Sequence, residues 1–468
     1  MFRFVNREEE LAFLDGLYAQ TEKQAQFVVL YGKRRVGKTE LVKQFFKDKP
    51  HVYYLASKGS ASDQLRTATG VMAQHFGDEF LKEDAFANWR HLFEYLGKKL
   101  KDSNERLILV FDEFPYLVES DKAISSYFQY GWDEHLKDTR VMLILMGSSI
   151  AMMYKHALSH SAPLYARRTA QWLLEPFTFA QSKNFFDSDD FGQVFSLYAI
   201  TGGIPAYLKE FDTQKSILEN IEEKVLTKGA FLHLEPELLL ADEFKEPRKY
   251  LTILKAIGLG KTKYSELLNS TGFLTNVLSS YLRTLIDLRL VKREVPITEK
   301  SPEKSKKGSY SLADSFLRFY FSFIFPDISL VESEAVKTLF EKNKEILIQL
   351  VAKAYEDTTT EFIQMATKKR ALPHFEQMGR WWSKNVEIDL VGLNKEEGSI
   401  LFVETKWNKK PLGLNVLRNL KQKALEVPWG DAKRKEYFAI VAKGGFTERL
   451  IEQARKEEVV LIQGDQLV

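Results

Sequence analysis

The chain has 468 residues, 44% of them hydrophobic and 13% aromatic, enough apolar material for two or three cores and too much for a disordered or fibrous protein. Lys and Arg number 67 against 64 Asp and Glu, a formal charge of +3, so bulk charge selects no partner and any nucleic-acid surface has to come from local patches. The absence of cysteine excludes disulfides, thiolate metal sites and cysteine nucleophiles.

The opening MFRFVNREEELAFL lacks the pattern of a secretory signal, and apolar runs such as Val141 to Met146 fall far short of the ~18 residues of a membrane span. A cytoplasmic protein with no membrane partner is therefore expected. Strand-like runs at Gln26–Tyr31, Val52–Leu55, Leu107–Phe111 and Val141–Met146 alternate with helical stretches, the pattern of a parallel sheet covered on both faces. Between the first strand and the helical Glu40–Phe46 lies Gly32-Lys33-Arg34-Arg35-Val36-Gly37-Lys38-Thr39, which fits G-x-x-x-x-G-K-[ST] in its proper strand-to-helix context. Glycines let such a loop turn its N–H groups toward phosphates. Lys38 would reach the β- and γ-phosphates, and Thr39 would offer its hydroxyl to Mg2+.

The third strand-like run delivers Asp112 and Glu113 at its C-terminal end. Asp112 would hold Mg2+ through water and Glu113 would orient or deprotonate the attacking water. The fourth ends in Gly147-Ser148-Ser149, where Ser148 could touch the γ-phosphate or that water.

Helical stretches at Tyr250–Gly258, Lys263–Asn269 and Thr271–Leu288, followed by the polar segment Lys292–Gly308, read as a winged helix. That segment carries six Lys and Arg against three Glu, a charge suited to lying along DNA phosphates. Asn276, Ser279, Ser280 and Arg283 form the free face of the third helix. Packing against another domain is the alternative use of such a module.

Farther on, the strand-like runs Val386–Val391 and Ser399–Thr405 are joined by LNKEEG. In a strand Glu404 and Lys406 share a face while Thr405 points away, and a short turn brings Asp389 beside them. Two carboxylates meeting across a hairpin make a hard-oxygen site for Mg2+ or Mn2+, and a nearby lysine can position the attacking water, so metal-assisted phosphodiester hydrolysis is the implied reaction. Residues 366–435 hold 15 Lys and Arg against 8 Asp and Glu, with Trp381, Trp382 and Trp407 among them, a composition that could track phosphates and stack bases.

Taken together, Asn6-Arg7-Glu8, GKRRVGKT, FDEF, MGSS, the pair Arg167-Arg168 after Pro-Leu-Tyr-Ala, and Gly202-Gly203-Ile204-Pro205 make residues 1–240 resemble the archaeal-type P-loop ATPases, relatives of the AAA+ and STAND nucleotidases. The resemblance implies ATP as nucleotide, Arg7 near its adenine side, and Arg167 or Arg168 on the γ-phosphate in cis or from a neighbouring subunit, so an oligomer is compatible with it. Ala166 stands where the family carries glycine. The segment Tyr310–Phe321 resembles the junction to the family's C-terminal domain of unknown function, which is similar to the restriction-endonuclease (PD-(D/E)XK) fold; this implies Glu356, at the end of the helical stretch Ile346–Tyr355, as a helix-borne acid beside Asp389, Glu404 and Lys406.

The expected class is α/β, with a P-loop ATPase domain and helical lid at 1–240, a winged helix at 241–325 and a small α/β restriction-endonuclease-like domain at 326–468. The leading expectation is an ATPase whose nucleotide state controls a DNA-binding, nuclease-like C-terminal domain. The alternatives are a nucleotide-gated switch that docks on DNA or protein without cleaving, and a ring-forming ATPase that remodels a protein partner.

Overall fold

Three apolar runs, β1 (Gln26–Tyr31), β3 (Leu107–Asp112) and β4 (Val141–Gly147), are buried over nearly their whole length. With β2 (His51–Leu55) and β5 (Ala170–Leu173) they form a five-stranded sheet, order β2-β3-β4-β1-β5, in which every neighbouring pair is parallel. Strand alternation divides the side chains between two cores. Phe27, Val29, Leu109, Phe111, Leu143 and Leu145 pack with the helices Ala61–Phe76 and Trp89–Ser103, whereas Val28, Leu30, Ile108, Val110, Met142 and Ile144 pack with the helices Glu8–Gln20 and Lys38–Phe46. The computed structural model describes residues 4–78, 81, 86–244, 246–384, 386–430 and 433–468. The chain divides into two compact units, Met1–Phe177 with Ile204–Ala206, and Thr178–Gly203 with Tyr207–Val468.

In the second unit, helices Pro247–Gly258, Tyr264–Thr271 and Thr275–Asp287 precede an antiparallel hairpin of β6 (Val291–Glu294) and β7 (Ser309–Leu312). Thr271 ends the second of these helices instead of opening the third, because Gly272 takes a left-handed φ of 67° and closes it. Beyond the hairpin, one 33-residue helix, Val336–Lys368, replaces the shorter stretch expected at Ile346–Tyr355. It runs straight through Thr358 and Thr359, whose hydroxyls bond the carbonyls of Ala354 and Tyr355 one turn back at 2.8 and 3.1 Å.

A mixed sheet follows, order β13-β12-β11-β10-β9-β8, built from β8 (Gln377–Ser383), β9 (Val386–Asn394), β10 (Ser399–Lys406), β11 (Lys435–Ala442), β12 (Val460–Gln463) and β13 (Gln466–Leu467). β9 and β10 are antiparallel and β10, β11 and β12 are parallel. Helices Leu414–Ala424 and Glu448–Lys456 contribute Leu417, Leu420, Leu450 and Ala454 to its core. The far end of the β6–β7 hairpin is seated on this sheet's β8 edge. Ile297 N–H donates to Arg380 O at 3.0 Å and Trp381 Nε1 donates to Thr298 Oγ1 at 3.1 Å. Among the described residues no helix is long and apolar enough to cross a membrane.

Candidate functional site

The loop between β1 and the helix Lys38–Phe46 passes over the C-terminal edge of the parallel sheet, where such sheets bind ligands. A side chain on Gly32 would meet the Leu174 carbonyl at 2.4 Å, so only glycine lets the loop leave β1 against β5. Arg35 and Gly37 take left-handed φ of 67° and 92°, and the helix starts after Gly37 with no side-chain cap, so its first N–H groups face the loop. Lys38, 6% exposed, folds back and donates to Gly32 O at 2.9 Å and Lys33 O at 3.0 Å. Val36 is buried, and Arg34 is exposed to solvent. Pro205 Cγ lies 3.9 Å from where a Cβ on Gly37 would stand.

Arg7 lies beneath this loop. It is buried, pairs with Glu10 at 2.7 Å, donates to Val36 O at 3.1 Å and Glu175 O at 2.8 Å, and lies 4.0 Å over the Phe177 ring. Burial lowers its pKa while Glu10 opposes the shift. The structure therefore gives Arg7 a bracing place, tying the first helix and the exit of β5 to the phosphate loop.

Strand order brings the remaining groups together, because β4 lies between β1 and β3. Asp112 is 1% exposed. Its Oδ2 accepts from Thr39 Oγ1 at 2.8 Å and from the Tyr53 hydroxyl at 2.6 Å, and its Oδ1 accepts from Glu113 N–H at 2.8 Å. Glu113, at a left-handed φ of 54°, accepts from Ser148 Oγ at 2.8 Å and Ser148 N–H at 3.2 Å. A hydroxyl next to a carboxylate is a donor set suited to Mg2+, and a second carboxylate beside it is placed to receive a proton. Burial and the Asp112 bond push the Tyr53 phenol's pKa upward, so it keeps its proton. Tyr53 is the participant that motif reading misses. The alternation of β2 could have found it, since residue 53 falls on the side of the sheet that carries the loop helix.

Residues 4–211 match a family described as an ATPase domain predominantly from Archaea, and residues 320–425 match one described as archaeal and bacterial proteins of unknown function. An uncharacterised protein of Methanocaldococcus jannaschii is 35% identical over 443 residues, 94% of this chain and 95% of that one. The chain belongs to this archaeal ATPase family. An uncharacterised ATP-binding protein of the same organism is 52% identical over 46 residues, 10% of this chain and 75% of that protein. A Walker-type ATPase of Pyrococcus abyssi is similar in fold, with TM-score 0.51 and 21% identity, covering 68% of this chain and 96% of that one. The archaeal ATPase thus binds and hydrolyses ATP in an α/β parallel-sheet domain, followed by a separate domain built on a mixed sheet.

The arginine pair of this ATPase is engaged locally. Arg167 forks onto Asp133, with Nη2 3.0 Å from Oδ2, and donates to Pro163 O at 3.1 Å. Arg168 donates to Tyr165 O at 2.8 Å and Ala157 O at 3.3 Å.

In the C-terminal sheet, Asp389 of β9 and Glu404 of β10 converge on one ammonium. Lys406 Nζ is 2.7 Å from Glu404 Oε1 and 3.8 Å from Asp389 Oδ2. Asp389 also accepts from Thr405 N–H at 2.8 Å, while the Thr405 hydroxyl meets that of Thr359 at 2.8 Å. Burial first, then Glu404 and Glu356, push the Asp389 carboxyl up to about 6. Burial works against the Lys406 charge, but Asp389 and Glu404 outweigh it and hold the proton on.

Lys423, unmarked by any motif, holds Glu404 Oε2 at 2.9 Å from the helix Leu414–Ala424. Glu356 stands within the long helix, not at its end, paired with Lys353 at 2.9 Å and 4.0 Å from Arg380. No group of three or more acidic or imidazole side chains among the described residues is arranged to hold a metal ion. Mg2+ needs only one or two carboxylates when substrate phosphates complete its shell, and Asp389 with Glu404 could supply those.

Two expected nucleic-acid features are used internally. Trp381 is 2% exposed within the core, and Trp407 packs 5.2 Å from the rings of Phe195 and Tyr355. In the hairpin, Lys292 pairs with Asp357 at 3.1 Å and Arg293 donates to Pro302 O and Ser305 O. Lys300, Lys304, Lys306 and Lys307 are exposed.

Proposed function

We propose that ATP binds with Mg2+ on Gly32–Thr39, with Lys38 on the β- and γ-phosphates, the Thr39 hydroxyl and, through water, Asp112 holding the cation, and Glu113 taking the proton of the attacking water while Ser148 orients it. Bound Mg2+ supplies charge neutralisation on the phosphates. Arg167 and Arg168 act on the γ-phosphate only if their present bonds open. The segment from Gly202 to Leu208 would pass the nucleotide state onward, since Pro205 stands beside Gly37 of the phosphate loop.

In this reading residues 1–240 form the ATPase with its helical lid, 241–325 a winged helix and 326–468 a restriction-endonuclease-like domain that binds DNA and cleaves it with Mg2+. The observation that carries it is the convergence of Asp389 and Glu404 on Lys406, two acids and a lysine at the end of neighbouring strands. A non-cleaving switch that docks on DNA or protein is the second reading, favoured by the double lysine grip on Glu404, which already neutralises it.

ATP turnover by the wild type and Lys38→Ala, with and without DNA and Mg2+, followed by electrophoresis of the DNA, tests both. Lys38→Ala is expected to lose turnover about a hundredfold or more, DNA is expected to stimulate the wild type, and Asp389→Ala is expected to leave the DNA uncut. Turnover that ignores DNA, with the DNA intact, would remove the nuclease reading and turn the search to a protein partner.

A further inference from the structure

A carboxylate has about four lone-pair positions, and in Asp112 three are taken by Thr39, Tyr53 and the Glu113 N–H. Two of these donors sit on Oδ2, the oxygen shared with the hydroxyl that would ligate a cation. Thr39 and Glu113 are part of the phosphate-loop and strand-end motifs. Tyr53 is not: it comes from β2, whose residues 51–55 pair in parallel with 108–112 of β3. Its ring packs against Phe46 on the loop helix, 5.9 Å between centroids, with Lys43 of the same helix 5.9 Å above it. The ring is thus seated on the element that begins with Lys38 and Thr39, while its hydroxyl holds the acid delivered by the neighbouring strand.

We propose that Tyr53 is a positioning residue for the ATPase reaction, holding the Asp112 carboxylate in the single orientation from which it meets the hydrated cation beside Thr39. Two donors fix Oδ2 against rotation about the side-chain bond, and a charged acceptor makes each bond strong. With the hydroxyl removed, Asp112 keeps its charge and its bond to Thr39 but gains a second orientation, and the cation has to be bought back with concentration. Nucleotide contacts made by the loop itself do not pass through Tyr53 and stay as they are. The inference rests on the reading of Thr39 and Asp112 as the Mg2+ site.

The test is Tyr53→Phe, which keeps the ring and its packing, compared with the wild type and Thr39→Ala. Mg2+ is titrated against binding of a fluorescent ATP analogue, binding is repeated in excess chelator, and turnover is measured across the same Mg2+ range. The expected result is a rise of about tenfold in the half-saturating Mg2+ for Tyr53→Phe, the size of one charge-assisted hydrogen bond. Chelator-phase binding should stay within about twofold of wild type, and the maximal rate should be recovered at high Mg2+. An unchanged or lower Mg2+ requirement would overturn the proposal, as would equal weakening with and without Mg2+, which marks a merely structural role. If wild type and Thr39→Ala both ignore Mg2+, the cation reading itself fails, a result distinct from a Mg2+-dependent wild type matched by Tyr53→Phe.

Discussion

Glu361 is a half-buried acid that serves neither candidate site. It sits on the long helix Val336–Lys368 and accepts the Phe179 N–H at 3.0 Å, with the half-buried Tyr198 phenol close enough to feel its charge. Burial raises its pKa to about 7 from an ordinary 4.5, against the backbone bonds from Phe179 and Ala180. Between those two values the folded chain holds a proton that the unfolded chain has released, so stability falls as the pH rises through the window, by up to about 3 kcal/mol above pH 7. Glu361→Gln, isosteric with the protonated acid, is expected to raise the melting temperature by several degrees at pH 8 and to leave it unchanged at pH 4. Melting curves across that range check the difference. At this scale the sequence is legible only where residues are neighbours in the chain. Thr39, Asp112 and Glu113 announce themselves through short motifs, whereas Tyr53, Lys423 and Glu361 gain their partners only when distant strands and helices are brought together.

Among the elements, the phosphate loop depends on a close approach that spacing alone does not reveal. Gly32→Ala would push a methyl group into the Leu174 carbonyl at 2.4 Å, a backbone clash that no side-chain rotation relieves. The expected outcome is a loss of about 1–3 kcal/mol of stability together with loss of ATP binding, read by denaturation and by nucleotide titration of the same preparation.

The strands β1, β3 and β4 are readable because they are buried on both faces and so consist of unbroken apolar residues. β5 is short and half-exposed, and β8 carries an irregularity between Gly379 and Trp381, so neither shows a clean period. The helix around Glu356 runs well past the end expected for it at Tyr355. In the folded chain the Thr358 and Thr359 hydroxyls satisfy themselves on the preceding turn.

For the whole molecule, the residues proposed to hold ATP all belong to the unit Met1–Phe177 with Ile204–Ala206. A ligand stabilises what it binds by about 2.7 kcal/mol at a hundred times its dissociation constant, and multidomain chains need not unfold in one step. Calorimetry is therefore expected to resolve two transitions, only one of which rises with ATP and Mg2+. Lys38→Ala should abolish that rise and leave the other transition in place; a single transition moving as one with nucleotide would contradict the division.

The placement of the basic hairpin has a consequence unrelated to nucleotide or DNA. A six-stranded open sheet has two edges, and an unprotected edge invites strands from other molecules. On one side the last strand, β13, is only two residues long. On the other, Ile297 and Thr298 sit across the middle of β8, next to the register shift between Gly379 and Trp381. The hairpin thus occupies part of the edge along which a strand from another molecule would have to pair.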